Sequence, residues 1–325
     1  MNAENKTLNP VHREYFPGDP DRSDEVSEQV TRLLAAAEEA DGVSPYSEAF
    51  LRSVSGAGGG DGYRHLTAEV DGRVVGVVSV NPSYVAELAV HPDARRSGVA
   101  TGMLREIGRH LDVERQLSVW SHGDLGSAKG FADGRRARIV RELLKMSVDC
   151  TDAARRDDLL ARRDRATATV DGEGLTVLDY PAACEAFGAD HVDDEWLRVN
   201  NEAFAWHPEQ GGWDSGTLQG ARDTDWFDPS GVIFLFDDRE CLGFHWTKRP
   251  EGDPHGEVYV VCLADAARGR GLGGPMTLFG IGYLLDGGAE AVDLYVEGDN
   301  TPAVATYRRL GFEVVHRDVV YRGMI

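Results

Sequence analysis

Apolar residues recur along this chain at two spacings, and each spacing is used twice. Val26, Val30, Leu33, Leu34 and Ala37 fall three or four residues apart, which predicts one face of a helix, with Ser23 or Asp24 as its N-cap. In AEVDGRVVGVVSV (68–80) and FLFDDRECLGFHW (234–246), apolar runs flank an acidic bend, and both read as strand, turn, strand. Trp196, Val199 and Ala203 mark a second amphipathic helix ahead of the second hairpin. Each hairpin is followed by an apolar strand, a turn of Arg and Gly, and a helix: LAVHPDARRSGVATGMLREI (88–107) and VVCLADAARGRGLGGPMTLFGIGYLL (260–285).

The two halves align. Placing Arg95 on Arg268 sets Leu88, Ala89 and Val90 opposite Val261, Cys262 and Leu263, Gly98 opposite Gly271, and Met103 opposite Met276. Downstream, LSVWSHGD (117–124) resembles VDLYVEGD (292–299). The shared order is helix, strands, Gly-rich turn, helix, strand, helix, strand. The expected fold class is therefore α/β, with a mixed α+β sheet, in two tandem domains. The first domain is expected over 1–150 and the second over 166–325. The dense charge run TDAARRDDLLARRDR (151–165) is expected to be an exposed helical linker. The stretch SGAGGGDG (55–62) precedes a strand and carries no Arg or Lys, so it reads as a flexible loop.

Glycine in a helix costs about 1 kcal/mol relative to alanine. Crowding Arg268, Gly269, Arg270, Gly271, Leu272, Gly273 and Gly274 into a helix start therefore calls for a reason. A helix N-terminus presents unpaired N–H groups and partial positive charge, which suits phosphate. The chain has no GxxxxGK[ST], and no GxGxxG followed by an acidic strand residue, so the Walker and dinucleotide readings fail. What remains is Arg-x-x-Gly-x-Gly/Ala between strand and helix. It occurs once as Arg268 to Gly273 and once as Arg95-Arg96-Ser97-Gly98-Val99-Ala100.

This pattern resembles the acetyl-CoA motif of the GNAT N-acetyltransferases. The stretch LYVEGDNTPAVATYRRLGF (294–312) is similar to that family's last strand–helix–strand element. Further likeness to the tandem-domain mycothiol synthases runs from about Val26 onward. It is carried by DGVSPYSE (41–48), LRVNNEAFAWHPEQGGW (197–213), GFHWTK (243–248) and GEVYVV (256–261). The resemblance implies acetyl-CoA as co-substrate and the cysteinyl amine of cysteinyl-glucosaminyl-inositol as acceptor. It implies that the Arg/Gly turns hold the CoA pyrophosphate. The strand residues Leu88, Ala89, Val90, Val261, Cys262 and Leu263 would line the pantetheine arm, together with Asn300, Thr301, Pro302, Ala303, Val304 and Ala305 at the following helix. Glu48, Glu195, Lys248, Glu257 and Tyr295 would contact the acceptor.

Acetyl transfer to an amine requires a neutral nucleophile, a donor to the developing oxyanion and help for the leaving thiolate. Glu257, on the strand leading into the second Arg/Gly turn, is the candidate general base. Tyr307 is the candidate general acid. Backbone N–H groups of residues 261–263 are the candidate oxyanion donors. Cys262 sits in an apolar β-run and reads as inert. His207, in HPEQGGW, reads as a residue that shapes a loop or lines the pocket. Tyr307 aligns with Ala132 and Glu257 has no clear counterpart, so one catalytic site is expected, in the second domain, with a non-catalytic first domain. Two alternatives stand beside this reading. One is a tandem acetyltransferase for another small amine, such as an aminoglycoside, polyamine or peptide; the other is a non-catalytic acyl-CoA sensor.

Composition narrows the partners. The 325 residues carry a net charge of -21, which argues against nucleic acid and acidic membrane surfaces. The polar N-terminus and the lack of a long apolar run predict a cytoplasmic protein. The four cysteines are scattered and the histidines never pair at metal spacing, so neither a disulfide scaffold nor a metal site is expected. A monomer is the expectation.

Overall fold

The computed structural model describes residues 8–16, 23–55, 62–110, 117–205 and 210–323. By its internal contacts the chain divides into two units, Met1–Leu143 with His316–Ile325, and Leu144–Val315. This differs from the expected division at 150 and 165 in two respects. The charged run is not a free linker; it forms the first turns of a long helix of the second unit. The last ten residues return to the first unit.

In the first unit, strands β1 (Val11–Tyr15), β2 (Arg64–Val70), β3 (Arg73–Val80), β4 (Val85–Val90), β5 (Leu117–Ser121) and the C-terminal β12 (Glu313–Gly323) lie side by side in that order. The first four are antiparallel, β4 and β5 are parallel, and β12 pairs with β5 from Val319↔Ser121 to Gly323↔Leu117. The helical stripe read from the sequence forms α1 (Ser23–Asp41), where Val30, Leu33, Leu34 and Ala37 are buried against Val77 and Ala89. Helix α2 (Glu48–Ser55) adds Phe50 and Val54 to the same cluster. Helix α3 (Val99–His110) buries Val99, Met103, Leu104 and Ile107 with Leu66 and Val78 in a separate cluster. Helix α4 (Gly126–Asp133) follows β5. The N-cap expected at Ser23 or Asp24 rests on side chains outside the described ones, as does most of the glycine loop at 55–62.

The second unit repeats the plan. Its strands are β6 (Arg138–Asp149, in this unit from Leu144 onward), β7 (Thr176–Asp179), β8 (Val232–Asp237), β9 (Glu240–Lys248), β10 (His255–Leu263) and β11 (Ala291–Glu297). They lie in the order β6-β11-β10-β9-β8-β7. Helices α5 (Ala153–Gly172), α9 (Gly273–Asp286) and α10 (Thr301–Arg309) share one core cluster. Helices α6 (Tyr180–Phe187), α7 (Ala189–Ala203) and α8 (Ser215–Arg222) share another. The second is aromatic: Trp196 stands edge-on to Trp246 at 5.1 Å and to Phe234 at 5.5 Å. Each edge-to-face pair contributes about 1 kcal/mol beyond its buried area, so β8 and β9 are pinned firmly to α7. That pinning fixes where β9 ends, and hence where Lys248 stands.

Candidate active site

The site is set by where a sheet opens. Strands β10 and β11 form a parallel ladder from His255↔Ala291 to Val258↔Leu294, and β10 runs on to Leu263 past its end. On its other side β10 pairs with β9, and the register slips between Val258 and Val260. The extra residue is Tyr259. A bulge re-aims the side chains beside it, and here it sits where the two parallel strands part. The first glycine of GFHWTK has a steric role: a Cβ on Gly243 would lie 2.6 Å from the carbonyl oxygen of Cys262.

Glu257 stands two residues before the bulge. It faces Lys248 on β9 and Asp293 on β11. Its Oε2 lies 4.0 Å from Lys248 Nζ. Burial raises the Glu257 carboxyl above the ordinary range, while Lys248 and Lys145 pull it down less strongly. The Lys248 ammonium also lies 5.2 Å from the centre of the Trp226 ring and 5.7 Å from that of Tyr259. Tyr295 joins the same group through Lys145, whose Nζ lies 5.9 Å from its ring. Glu257, Lys248 and Tyr295, named from the sequence, are thus gathered at one opening.

Sequence reasoning missed Lys145 and Asp293. Lys145 Nζ lies 2.8 Å from Asp293 Oδ2, and Asp293 also accepts from Ser147 Oγ at 2.5 Å. His255 Nδ1 lies 3.1 Å from the same carboxylate. Their signal was the alternation on β6, where Lys145 and Ser147 share a face.

Past the opening, β10 leads through Asp265–Ala267 into the Arg/Gly turn. Gly269 and Gly271 have φ of 77° and 79°, which L side chains rarely adopt. A Cβ on either would meet no atom within 4 Å, so conformation rather than crowding requires glycine, and the loop face is open. Helix α9 then starts at Gly273 with no side-chain cap. Its first N–H groups have no carbonyl one turn earlier to bond, the arrangement that suits an anion. Arg268 is exposed and, among the described residues, is paired with the exposed Asp265 at 3.1 Å. These residues fit a pyrophosphate.

Helix α10 begins at Asn300, whose side chain accepts from Ala303 N, with Pro302 in the first turn. Tyr307 is buried on this helix, with its ring 5.9 Å from Phe312. Burial pushes its hydroxyl up to about 12, so it keeps its proton at neutral pH. Burial also holds the Cys262 thiol well above its ordinary range, which suits an inert side chain.

The first unit has the same opening and lacks these groups. Among the described residues, strands β4 and β5 pair at Val85↔Ser118 and Ala86↔Val119. The β3–β4 register runs from Gly76↔Val90 to Val80↔Ala86 with no slip. Val85 therefore holds the position of Glu257, and the one-residue bulge is why the sequence alignment found no counterpart. The turn is also altered. Arg96, at φ 60°, replaces Gly269. Arg95 is clamped by both oxygens of Asp41 at 2.7 Å, and Ser97 Oγ donates to Ala94 O. A cavity of about 620 Å³ nevertheless lies against this turn, lined by Leu88, Ala89, Val90, Arg96, Gly98 and Ala100 among others.

Two further expected contacts hold partners of their own, and His207 is not described. Both oxygens of Glu195 take Arg198, at 2.8 and 2.7 Å, and Oε2 also accepts from Cys241 N. Cys241 lies seven residues from Lys248 along β9, about 23 Å in an extended strand. Glu48 opens α2 in the first unit and pairs with Arg52. His207 lies outside the described residues.

Two family models match the chain. The acetyltransferase (GNAT) family model covers residues 196–312, and an acetyltransferase (GNAT) domain model covers residues 61–132. The mycothiol acetyltransferase of Corynebacterium urealyticum is 50% identical, over 92% of this chain and 95% of its own length. The chain belongs to the mycothiol acetyltransferase family of tandem GNAT enzymes. The mycothiol acetyltransferase of Mycolicibacterium vanbaalenii is 42% identical, over 90% of this chain and 93% of its own. Among solved structures, a tandem GNAT protein from the clavulanic acid biosynthesis pathway superposes with a TM-score of 0.63 at 19% identity, covering 97% of this chain and 98% of that one. That likeness bears on the fold. As a member of the mycothiol acetyltransferase family, the chain is an acetyl-CoA-dependent N-acetyltransferase. Among the described residues, no helix is long and apolar enough to cross a membrane.

Proposed function

We propose that the second unit transfers acetyl from acetyl-CoA to the cysteinyl amine of cysteinyl-glucosaminyl-inositol, completing mycothiol. The family supports the reaction class. The observation that carries the site assignment is Glu257, half-buried at the mouth of the β10–β11 opening beside the Tyr259 bulge, where the first unit has Val85.

Glu257 accepts a proton from the substrate ammonium through one water, and its raised pKa brings it closer to the amine it serves. The freed amine attacks the thioester carbonyl. Backbone N–H groups of β10 beyond Val258 stabilise the oxyanion that forms. As the C–S bond breaks, the Tyr307 hydroxyl gives its proton to the CoA sulfur. Lys248 and Tyr295 supply a donor and a hydroxyl for the sugar and inositol oxygens. The turn from Arg268 to Gly274 holds the pyrophosphate. In the first unit, Val85 and Ala132 leave no base and no acid, so its cavity binds a CoA thioester without turning it over.

The test is thiol release and product analysis with acetyl-CoA and four acceptors: cysteinyl-glucosaminyl-inositol, glucosaminyl-inositol, an aminoglycoside and spermidine. Turnover of the first alone is expected. Preference for another acceptor would replace the substrate while keeping the chemistry, and no turnover of any would end the catalytic reading.

A further inference from the structure

The cavity of the first unit extends well beyond the CoA turn. It continues behind α4 to Leu104, Leu117, Ala132, Ala137, Tyr321 and Gly323. The second unit shows what normally fills that space. There Tyr307 and Phe312, both buried, pack their rings 5.9 Å apart.

The two places are equivalent by backbone as well as by alignment. Phe312 N donates to Tyr307 O at 3.1 Å, and Ala137 N donates to Ala132 O at 3.0 Å. The residue before each donor is left-handed, Gly311 at φ 93° and Arg136 at φ 53°. The first unit has therefore replaced both aromatic rings by methyl groups; Ala132 and Ala137 pack with Val319 and Tyr321, and the cavity still reaches both alanines. Unfilled apolar space destabilises a core, and this space opens onto the turn that faces a CoA pyrophosphate.

We propose that the first unit binds a CoA thioester carrying an apolar acyl chain, from butanoyl to octanoyl, with the chain lying where the second unit packs Tyr307 and Phe312. This rests on the reading that the first unit holds a CoA thioester at its Arg96–Gly98 turn. An acetyl group would leave the space behind α4 empty, whereas an alkyl chain fills it against Leu104, Leu117 and the two alanines. Arg135 also lines this cavity, with its guanidinium 4.0 Å from the centre of the Phe131 ring. It gives an acidic acyl group a competing claim that the experiment must exclude.

The full-length protein is titrated calorimetrically with acetyl-, hexanoyl- and succinyl-CoA, alongside Ala132→Tyr and the milder Ala132→Leu. A buried methylene tightens binding about fourfold. At one of two sites per chain, hexanoyl-CoA should therefore bind at least about tenfold tighter than acetyl-CoA. Ala132→Tyr should abolish that preference, Ala132→Leu should reduce it, and acetyl-CoA binding at the second site should stay unchanged in both, which also reports that the variants fold. Equal or tighter acetyl-CoA binding at both sites, a preference that survives both variants, tighter succinyl-CoA, or a single site per chain would each overturn the proposal. Acceptor turnover is scored separately. Turnover without first-unit binding sinks only this inference, and binding without turnover sinks only the catalytic reading.

Discussion

Glu257 and Lys248 stand directly opposite each other across the β9–β10 ladder, with carboxylate and ammonium 4.0 Å apart at the point where β10 and β11 separate. A carboxylate held this way has to balance two demands. Burial makes it a stronger base than an exposed glutamate, and the lysine opposes that rise.

Replacing Glu257 by Gln should lower kcat/KM by about 10²- to 10⁴-fold at neutral pH. The wild-type rate should rise with pH through a carboxyl pKa above the ordinary glutamate value, and the variant should lose that limb. Because a free α-amine loses its proton by itself above about pH 8, the gap between the two enzymes should narrow there. A pH–rate profile of both proteins checks this, and parallel profiles would remove Glu257 as the base.

Tyr307→Phe removes a hydroxyl and keeps the ring against Phe312. The expected result is a fall in kcat of about tenfold or more with an unchanged KM for acetyl-CoA. Steady-state kinetics at fixed acceptor, with a thermal melt to show that packing is intact, decides it. An unchanged kcat would leave the leaving thiolate to solvent.

Arg268 is exposed, and among the described residues it pairs with the equally exposed Asp265. Arg268→Ala should therefore raise KM for acetyl-CoA by about tenfold, the worth of one charge-assisted hydrogen bond, with little change in KM for the acceptor and in melting temperature. A shift in acceptor KM alone would move Arg268 out of the pyrophosphate site.

The first unit carries a different titratable centre. His122 Nε2 lies 3.2 Å from Glu87 and Nδ1 lies 3.3 Å from Asp318 on the returning C-terminal strand. Burial alone would lower its pKa, but hydrogen bonds to Asp318 and Glu87 outweigh it and raise the value to about 9. A folded pKa above the unfolded value of 6.5 means that the stabilisation is complete below pH 6.5 and is lost as pH rises through about 9. The difference amounts to a few kcal/mol, about 3 at most. Unfolding midpoints should therefore fall between about pH 6.5 and pH 9.5 in the wild type, and His122→Gln should flatten that slope. A wild-type midpoint that rises over the same range would contradict the pairing.

Much of this was legible in the sequence because repeats carry local signals. The amphipathic stripe of α1, the paired hairpins and both Arg/Gly turns are written in residue spacing, and the structure has each in place. The pairing of β12 with β5 was not legible, because strand partners almost two hundred residues apart leave no local trace. Nor was the Tyr259 bulge, a single-residue slip that hid Val85 as the counterpart of Glu257. Glu195 was expected among the acceptor contacts because of its chemistry and family position, yet Arg198 and the Cys241 N–H occupy its oxygens. The loss of Phe312 at Ala137 emerges only when the two backbones are matched, since an alanine before a strand says nothing by itself.

The most direct measurement is the initial rate of acetylation of cysteinyl-glucosaminyl-inositol by the wild-type protein, Glu257→Gln and Val85→Ala, side by side at neutral pH. One catalytic centre in the second unit predicts a rate that collapses in Glu257→Gln and is unchanged in Val85→Ala. A rate that survives Glu257→Gln, or that falls with Val85→Ala in a protein that melts like the wild type, would contradict it.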